Sequence, residues 1–435
     1  MTTPTHDPPA GRVEAVWRIE AARLVAGLAR ITGDLGTAED LAQDALVAAL
    51  EHWPTSGVPP NPGGWLMTTA KNRAVDGFRR DARHRAAVET IGRGTPGAID
   101  DQDAVDDALD DPIGDDVLRL LFTACHPVLT REYRVALTLR CLTGLRTDEI
   151  GRAFLVPESV AGQRISRAKK TLRDKGVRFE MPGAKEISTR LATVLEVIYL
   201  VFNEGYSATA GDDWMRPALS IEALRLARLT AALMPSEAEA HGLTALLELT
   251  QSRASARTGP DGRPVLLQHQ DRRRWAPLLI RRGLSALAEA HGCHGPVGRY
   301  TLQAEIAAAH TTALTADETD WPRIAALYDA LAVVWPTPVV HLNRAMAHGR
   351  AVGPGAGLAL LDTVDTAALQ GYPQLPGVRG ELLDLAGRRD EAATAFDQAA
   401  ALTRNVQERE LFAGRAAEIR AQRPPVPAVK SGPDP

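Results

Sequence analysis

Apolar residues recur at helical spacing along almost the whole chain. From Val13 to Ile31 they fall at Val16, Ile19, Leu24, Leu28 and Ile31, one face of a helix that Gly33 ends. A second helix is expected from Thr37, which can cap it with Asp40 in the capping-box position. Its core stripe is Leu41, Ala45, Ala48 and Ala49, while Asp40, Gln43 and Asp44 share a polar face. Pro54 to Gly64 is rich in Pro and Gly and reads as a loop. A third helix, from Trp65 to about Arg85, has an apolar side (Leu66, Ala70, Ala74, Phe78) and a basic end.

The periodicity then stops over residues 91–116 and resumes at Asp115, with Pro127 and Gly144 punctuating the next helices. Gly144 to Arg173 reads as two short helices joined by a tight turn. Thr147 can cap the first, which buries Ile150, Ala153 and Phe154. Val156 and Pro157 make the turn, and Ser159 can cap the second. That helix buries Val160 and Ile165 and offers Gln163, Arg164, Arg167, Lys169 and Lys170 to the outside. Gly162, inside it, weakens it by ~1 kcal/mol relative to Ala.

From Ile187 to about Arg420 the helical period continues with no strand pattern. Loops fall at 203–217 and 259–264. Helix pairs begin near Tyr300, Pro338 and Leu375, about 38 residues apart, a period within the range of helical solenoids. In the last pair Gly387 makes the turn, Ala392 is the small residue where two helices touch, and Phe396 and Ala399 are packing positions. Residues 1–12 and 423–435 are polar, Pro-rich tails, disordered by composition.

Composition sharpens this picture at a few points. Ala and Leu dominate and aromatics are only 5%, which favours helices over sheets. The fold class expected is therefore all-α. The net charge of −4 hides a strong asymmetry. Residues 144–178 carry nine Lys or Arg against four Asp or Glu, whereas residues 100–116 carry nine Asp and no basic residue. A basic two-helix segment points to nucleic acid, and an acidic stretch without a stripe reads as an extended linker. Three cysteines without a CxxC fit a reducing compartment. There is no signal-peptide pattern and no apolar run long enough to span a bilayer, so a cytoplasmic protein with no membrane role is expected.

A helix-turn-helix puts its second helix in the major groove, where Gln can pair adenine and Arg can pair guanine. The motifs around it carry a resemblance. AEDLAQDALVAALEHW, GGWLMTTAKNRAVDGFRR and GLRTDEIGRAFLVPESVAGQRISRAKKTLR, in this order around an acidic linker, resemble the sigma-70 family, specifically its small extracytoplasmic-function (ECF) group. RLATVLEVIYLVFNEGYSA and PTPVVHLNRAMA further resemble the ECF subgroup with a long C-terminal TPR-like extension.

The resemblance implies the following organisation. Residues 13–90 form sigma region 2, which binds core polymerase and the −10 element. Residues 91–114 are the acidic linker, 115–182 are the region 4 helix-turn-helix for the −35 element, and 183–422 are a regulatory helical-repeat extension. It implies polymerase contacts at Asp40, Leu41, Gln43 and Asp44, facing the clamp helices of the largest subunit. It implies −10 contacts at Asn72, Arg73, Asp76, Arg79, Arg80 and Arg83, the arginines sitting on phosphates that position without specifying. It implies −35 contacts at Thr147, Ser159, Gln163, Arg164, Arg167, Lys169 and Lys170. The polymerase flap and promoter DNA are further implied partners, and a protein or small-molecule signal would act at the C-terminal repeats. The linker, with its nine Asp, would imitate a phosphate backbone along the polymerase's nucleic-acid path. The family norm of a glycine in the turn is replaced by Leu155.

Two further stretches invite chemistry. His291, Cys293 and His294 cluster, but a closed zinc site needs four ligands and no second cluster accompanies them, so a loop is the expectation. Asn203 and Glu204, after a strongly apolar helix, can bind a ligand or cap the helix end; sequence does not separate the two. His126 and Trp65 are expected to be structural. No metal, cofactor or catalytic constellation is expected, and the chain is not expected to be an enzyme. The competing class is a one-component regulator, a helix-turn-helix fused to a sensing domain that binds DNA without polymerase.

Overall fold

The computed structural model describes residues 9–89, 113–154, 156–183, 186–208, 214–260, 262–365 and 369–421, without side chains for residues 76–89 and a few others. Residues 91–112 of the expected linker, residues 1–8 and 423–435 of the expected tails, and Leu155 therefore lie outside the described residues, whereas residues 9–12 and 113–114 are helical rather than tail and linker. Among the described residues the elements are helices, with one isolated bridge between Thr258 and Pro264. The chain divides into two units, residues 1–201 and 202–435.

In the first unit, α1 (Pro9–Thr32), α2 (Leu35–Ser56) and α3 (Pro62–Glu89) pack on one another. The buried face of α1 is Val13, Trp17, Ala21, Leu24 and Leu28, so Ile19 points outward, 67% exposed. Ala38, Ala42, Ala45 and Ala49 line the buried side of α2, with Trp53 closing it against Trp65 at 5.3 Å between ring centroids. Short side chains let the helix axes approach, which is how an Ala-rich stripe forms a core. Helix α2 starts earlier than expected. Asp34, not Thr37, is its cap, and accepts the Thr37 N–H at 2.7 Å. The helix also runs through Pro54, so the expected 54–64 loop shrinks to the residues between Ser56 and Pro62.

Four more helices complete this unit before α8: α4 (Ile113–Ala124), α5 (Arg131–Thr143), α6 (Thr147–Ala153) and α7 (Glu158–Asp174). Leu120, Leu121, Phe122, Leu137, Leu139 and Leu142 are fully buried among them. His126 shapes the α4–α5 turn, its Nδ1 accepting the Val128 N–H at 3.2 Å. Helix α1 packs on α4 and α5 as well as on α2 and α3, and α2 packs on α7. Helix α8 (Ile187–Tyr206) runs from this unit into the next.

The second unit continues with α9 (Pro217–Leu233), α10 (Ala238–Gln251), α11 (Pro277–Gly292), α12 (Arg299–Thr312) and α13 (Trp321–Val334). It ends with α14 (Pro338–Ala351), α15 (Pro354–Leu361), α16 (Gln374–Leu385), α17 (Arg389–Leu402) and α18 (Val406–Ala421). Each of these helices packs on the next. Pairs α12–α13, α14–α15 and α16–α17 begin at Arg299, Pro338 and Gln374, within a residue of the sequence-derived starts. In the last pair Gly387 has φ +73° and Ala392, Phe396 and Ala399 are buried, as the pattern indicates.

The loops of this unit hold a group of arginines. Arg257 is buried with its guanidinium 3.6 Å from the Tyr206 ring centroid and 4.1 Å from that of Trp214. Burial pushes its pKa down to about 10. Arg272 donates to the carbonyls of His310 and Ala313, each at 2.6 Å, tying the loop to the end of α12.

Candidate nucleic-acid interface

The segment after α5 is built from two backbone constraints. Gly144 ends α5 in the left-handed region, φ +68°. Gly151, in α6, lies so close to the turn that a Cβ there would stand 2.9 Å from the Val156 carbonyl oxygen. The chain can therefore fold back this tightly from α6 into α7 only with a glycine at 151. Glu149 accepts the Arg146 N–H at 2.7 Å, so the start of α6 is closed by that carboxylate, and Thr147 is its first residue rather than its cap.

Helix α7 begins at Glu158, after Pro157, with no side-chain cap; Ser159 lies inside it and is exposed. Its buried stripe is Ala161, Ile165, Ala168 and Leu172, whereas Val160 and Phe154 are only half-buried. The opposite side exposes Ser159, Gln163, Arg167 and Lys170, with Arg164 half-buried beside them. This is a polar, basic face at helical spacing on the second helix of a helix-turn-helix.

On α2, Asp40 and Asp44 are exposed and Gln43 is half-buried. Leu41 is half-buried too, and Ala42 occupies the core position expected of it. Asn72 is exposed on α3, and Arg73 donates to the Asp44 carbonyl at 2.8 Å with Asp44 Oδ2 3.5 Å away. A candidate −10 residue and a candidate polymerase residue thus form one patch. The side chains of Asp76, Arg79, Arg80 and Arg83 lie outside the described residues.

The structure also joins residues that the sequence assigned to different partners. Lys169, expected on the open face of α7, is half-buried against α2. Its Nζ binds Glu39 and lies 2.9 Å from Asp40 Oδ1. Glu39, 3% exposed, takes a second cation, with Arg140 Nε at 2.7 Å. Burial alone would raise the Glu39 carboxyl, but Lys169 and Arg140 outweigh it and hold its pKa below the usual value. Burial would likewise lower Lys169, and Glu39 with Asp40 raises it instead.

One turn away, Arg173 Nη2 lies 3.0 Å from Asp34 Oδ1. Burial opposes ionisation of Asp34, yet the hydrogen bonds from Arg173 and Thr37 bring its pKa down to about 2. Trp17 Nε1 donates to the Gly144 carbonyl at 3.1 Å, and Arg18 Nη2 reaches Glu149 Oε1 at 3.1 Å. Glu39 and Trp17 were not among the candidate residues. No sequence period marks pairs separated by more than 100 residues.

Outside this unit the other candidates have structural partners. Glu204 pairs with Arg216, whose N–H donates to the Gly205 carbonyl at 2.7 Å, so this stretch is tied into the turn before α9. Asn203 is exposed. His291 Nε2 lies 2.7 Å from Glu305, and the Cys293 thiol approaches the Pro235 carbonyl. Among the described residues no three His, Cys, Asp or Glu side chains are grouped to hold a metal ion. Among them, too, no helix is long and apolar enough to cross a membrane.

Comparison with known proteins agrees with this geometry. Residues 19–84 match the family model Sigma-70 region 2, and residues 119–172 match Sigma-70, region 4. Residues 190–291 match a family of unknown function, DUF6596. An uncharacterised protein of Rhizobium meliloti (strain 1021) is 43% identical over 88% of this chain and 89% of its own length. ECF RNA polymerase sigma factor SigL of Mycobacterium tuberculosis (strain ATCC 25618 / H37Rv) is 32% identical over 38% of this chain and 88% of its own. Probable ECF RNA polymerase sigma factor SigI of the same strain is 26% identical over 44% and 68%. With both sigma-70 regions matched in order and SigL covered almost end to end, the chain belongs to the sigma-70 family, among its ECF-type sigma factors.

Proposed function

We propose that this sigma factor binds core RNA polymerase through the exposed face of α2, Asp40, Gln43 and Asp44 with Leu41 at its edge. On this reading the partner is the clamp of the largest subunit, and the flap receives the α4–α7 region. Asn72 and Arg73, with Asp76, Arg79, Arg80 and Arg83 further along α3, take the −10 element. Ser159, Gln163, Arg164, Arg167, Lys169 and Lys170 of α7, with Thr147 of α6, take the −35 element. Bond synthesis belongs to the polymerase, and the work is done in the cytoplasm.

The observation that carries this reading is the basic face of α7, opposite a fully apolar stripe, on a helix-turn-helix. Promoter-dependent transcription by purified core polymerase tests it. Asp40→Ala with Gln43→Ala should weaken capture of core polymerase without loss of fold. Gln163→Ala should relax preference at one base position, and Lys170→Ala should weaken all promoters alike and flatten the salt dependence. Tight binding of the free protein to duplex DNA, with no polymerase capture, would instead establish the one-component regulator.

The helix pairs α12–α17 support reading the extension as a TPR-like regulator, which responds to a protein or a small molecule. Two openings in it suit those occupants. A cavity of about 210 Å³ is lined by Gln268, Arg272, His310, Trp321 and Arg350 among others. A wider groove of about 660 Å³ is lined by Leu369, Tyr372, Leu375, Pro376 and Leu402. Transcription by a chain ending near Gly183 decides the sign of the regulation. Full activity marks the extension as inhibitory, and loss of activity with an intact fold marks it as required.

A further inference from the structure

We propose that the cavity walled by α12, α13, α14 and the loop before α11 is a binding site for a small organic carboxylate, one whose body is a single ring or a short chain. The inference deepens the reading of the extension as a sensor of a small molecule and rests on it. Three observations carry it.

The first is a set of hydrogen-bonding groups with nothing to bond. A guanidinium has five N–H donors. Arg272 gives two from Nη1 to the His310 and Ala313 carbonyls, each at 2.6 Å, and one from Nη2 to the Thr319 hydroxyl at 3.2 Å. Its other two N–H groups, and both ring nitrogens of His310, have no hydrogen-bond partner among the described residues. Both residues line the cavity. The His310 ring is held edge-on to Trp321, with centroids 5.3 Å apart. Burial keeps it neutral, so it presents one donor and one acceptor. Polar groups this enclosed are ordinarily paired.

The second is charge. Arg272 and Arg350 line the cavity together, and Arg272 has no carboxylate within ion-pair distance among the described residues. Arg253 adds to the field: after burial, its charge is the next cause that pushes down the pKa of both Arg272 and His310. Glu381 is the acid among the lining residues, and it is shared by Arg350 at 3.7 Å and Arg415 at 3.4 Å. Glu318, the acid nearest in effect to Arg272, is exposed and accepts the Leu314 N–H at 3.2 Å. Such a lining selects an anion over a neutral or cationic guest.

The third is size and lining. The cavity holds about 210 Å³, against the ~150 Å³ that suffices for benzene in an apolar cavity. Leu266, Leu267, Met346 and Trp321 supply apolar wall. A bare inorganic anion would leave that wall against water. A carboxylate joined to a ring or a short chain satisfies the free N–H groups and covers the wall as well.

Isothermal titration calorimetry of the full chain at pH 7.5 tests this with benzoate and hexanoate, their amides benzamide and hexanamide, and inorganic phosphate. At least one of the two carboxylates should saturate a single site, and its amide should bind at least about tenfold more weakly. Ala316→Phe, which fills the cavity, should abolish the binding, and Arg350→Gln should weaken it at least about tenfold, both with the helix content retained. Saturable binding of neither carboxylate overturns the site. An amide that binds as tightly as its acid, or phosphate that binds more tightly than both acids, overturns the ligand class. Carboxylate binding that survives both Ala316→Phe and Arg350→Gln lies elsewhere and overturns the assignment. If Ala316→Phe does not fold, Arg350→Gln and the comparison of acid with amide decide. The sensor reading fails separately: a carboxylate that binds this cavity yet leaves promoter-specific transcription by the full chain unchanged sinks the regulation and leaves the site standing.

Discussion

Gly144 and Gly33 have the same backbone angle, φ +68°, and end α5 and α1 respectively. They differ in what surrounds them. A Cβ on Gly33 meets nothing within 4 Å, whereas a Cβ on Gly144 would stand 2.8 Å from Trp17 Nε1, 3.0 Å from Trp17 Cδ1 and 3.1 Å from Ala21 Cβ. Alanine at either position incurs the left-handed penalty of about 1–2 kcal/mol. At 144 it must also displace an indole that is 3% exposed and break its hydrogen bond to the Gly144 carbonyl. Stranding a buried donor costs a further ~1–3 kcal/mol. Gly144→Ala should therefore destabilise by about 2–5 kcal/mol and Gly33→Ala by about 1–2 kcal/mol.

Urea unfolding of the full chain, followed by circular dichroism, measures both in the transition that the two variants share. A double-mutant cycle isolates the contact. In a Trp17→Ala background, Gly144→Ala should lose most of its excess over Gly33→Ala, with Ala21 Cβ at 3.1 Å the one crowded neighbour left. Equal losses at the two glycines in the wild-type background would refute the reasoning, because they would mean that α1 and the end of α5 do not meet as described.

Other substitutions probe separate features. Gly162→Ala should stabilise the first unit by ~1 kcal/mol, since the new methyl meets only Thr147 Cγ2, at an ordinary 3.5 Å; destabilisation would mean that α7 is more crowded than it looks. Glu39→Gln leaves Arg140 and Lys169 facing a neutral amide and should cost ~3–5 kcal/mol in the same unfolding assay; a loss under ~1 kcal/mol would mean that water replaces the carboxylate because α7 has moved away. His310 is held neutral by burial, with Arg253 and Arg272 adding to it, and its pKa falls to about 3. Its folded pKa is depressed, so its contribution to stability is intact above pH 6.5 and is lost as pH falls from there toward 3. The loss due to this one group is about 2 kcal/mol at pH 5, and a flat thermal-shift profile from pH 7 to 5, unchanged by His310→Phe, would contradict it.

Helix content and the basic face of α7 were legible because both are written in local periodicity. Ala161, Ile165, Ala168 and Leu172 recur every three to four residues, and that alone turns Gln163, Arg167 and Lys170 outward. The starts of α12, α14 and α16 were legible for the same reason. Local capping was harder. Asp34 and Thr37 can each open a helix, and the Thr37 N–H donated to Asp34, with Leu35 buried behind it, shows that the earlier one does. In α1 the apolar pattern marked Leu24 and Leu28 correctly but missed the core in the first half of the helix. Val16 and Ile19 read as core by type, but the buried line runs through Trp17 and Ala21, which face α5.

The α2–α7 contact was illegible for a different reason. Asp40 on an exposed helix face and Lys169 on a basic helix each suit an external partner, and the sequence gives no sign that they are 2.9 Å apart. A carboxylate that can meet a polymerase arginine can also meet a lysine of its own chain, and the local physics of the two pairings is the same. What separates them is competition. Glu39 carries that distinction, because it is buried with both Arg140 and Lys169 paired to it. A buried carboxylate is expensive to leave half-paired, so its two cations hold the contact together as a unit.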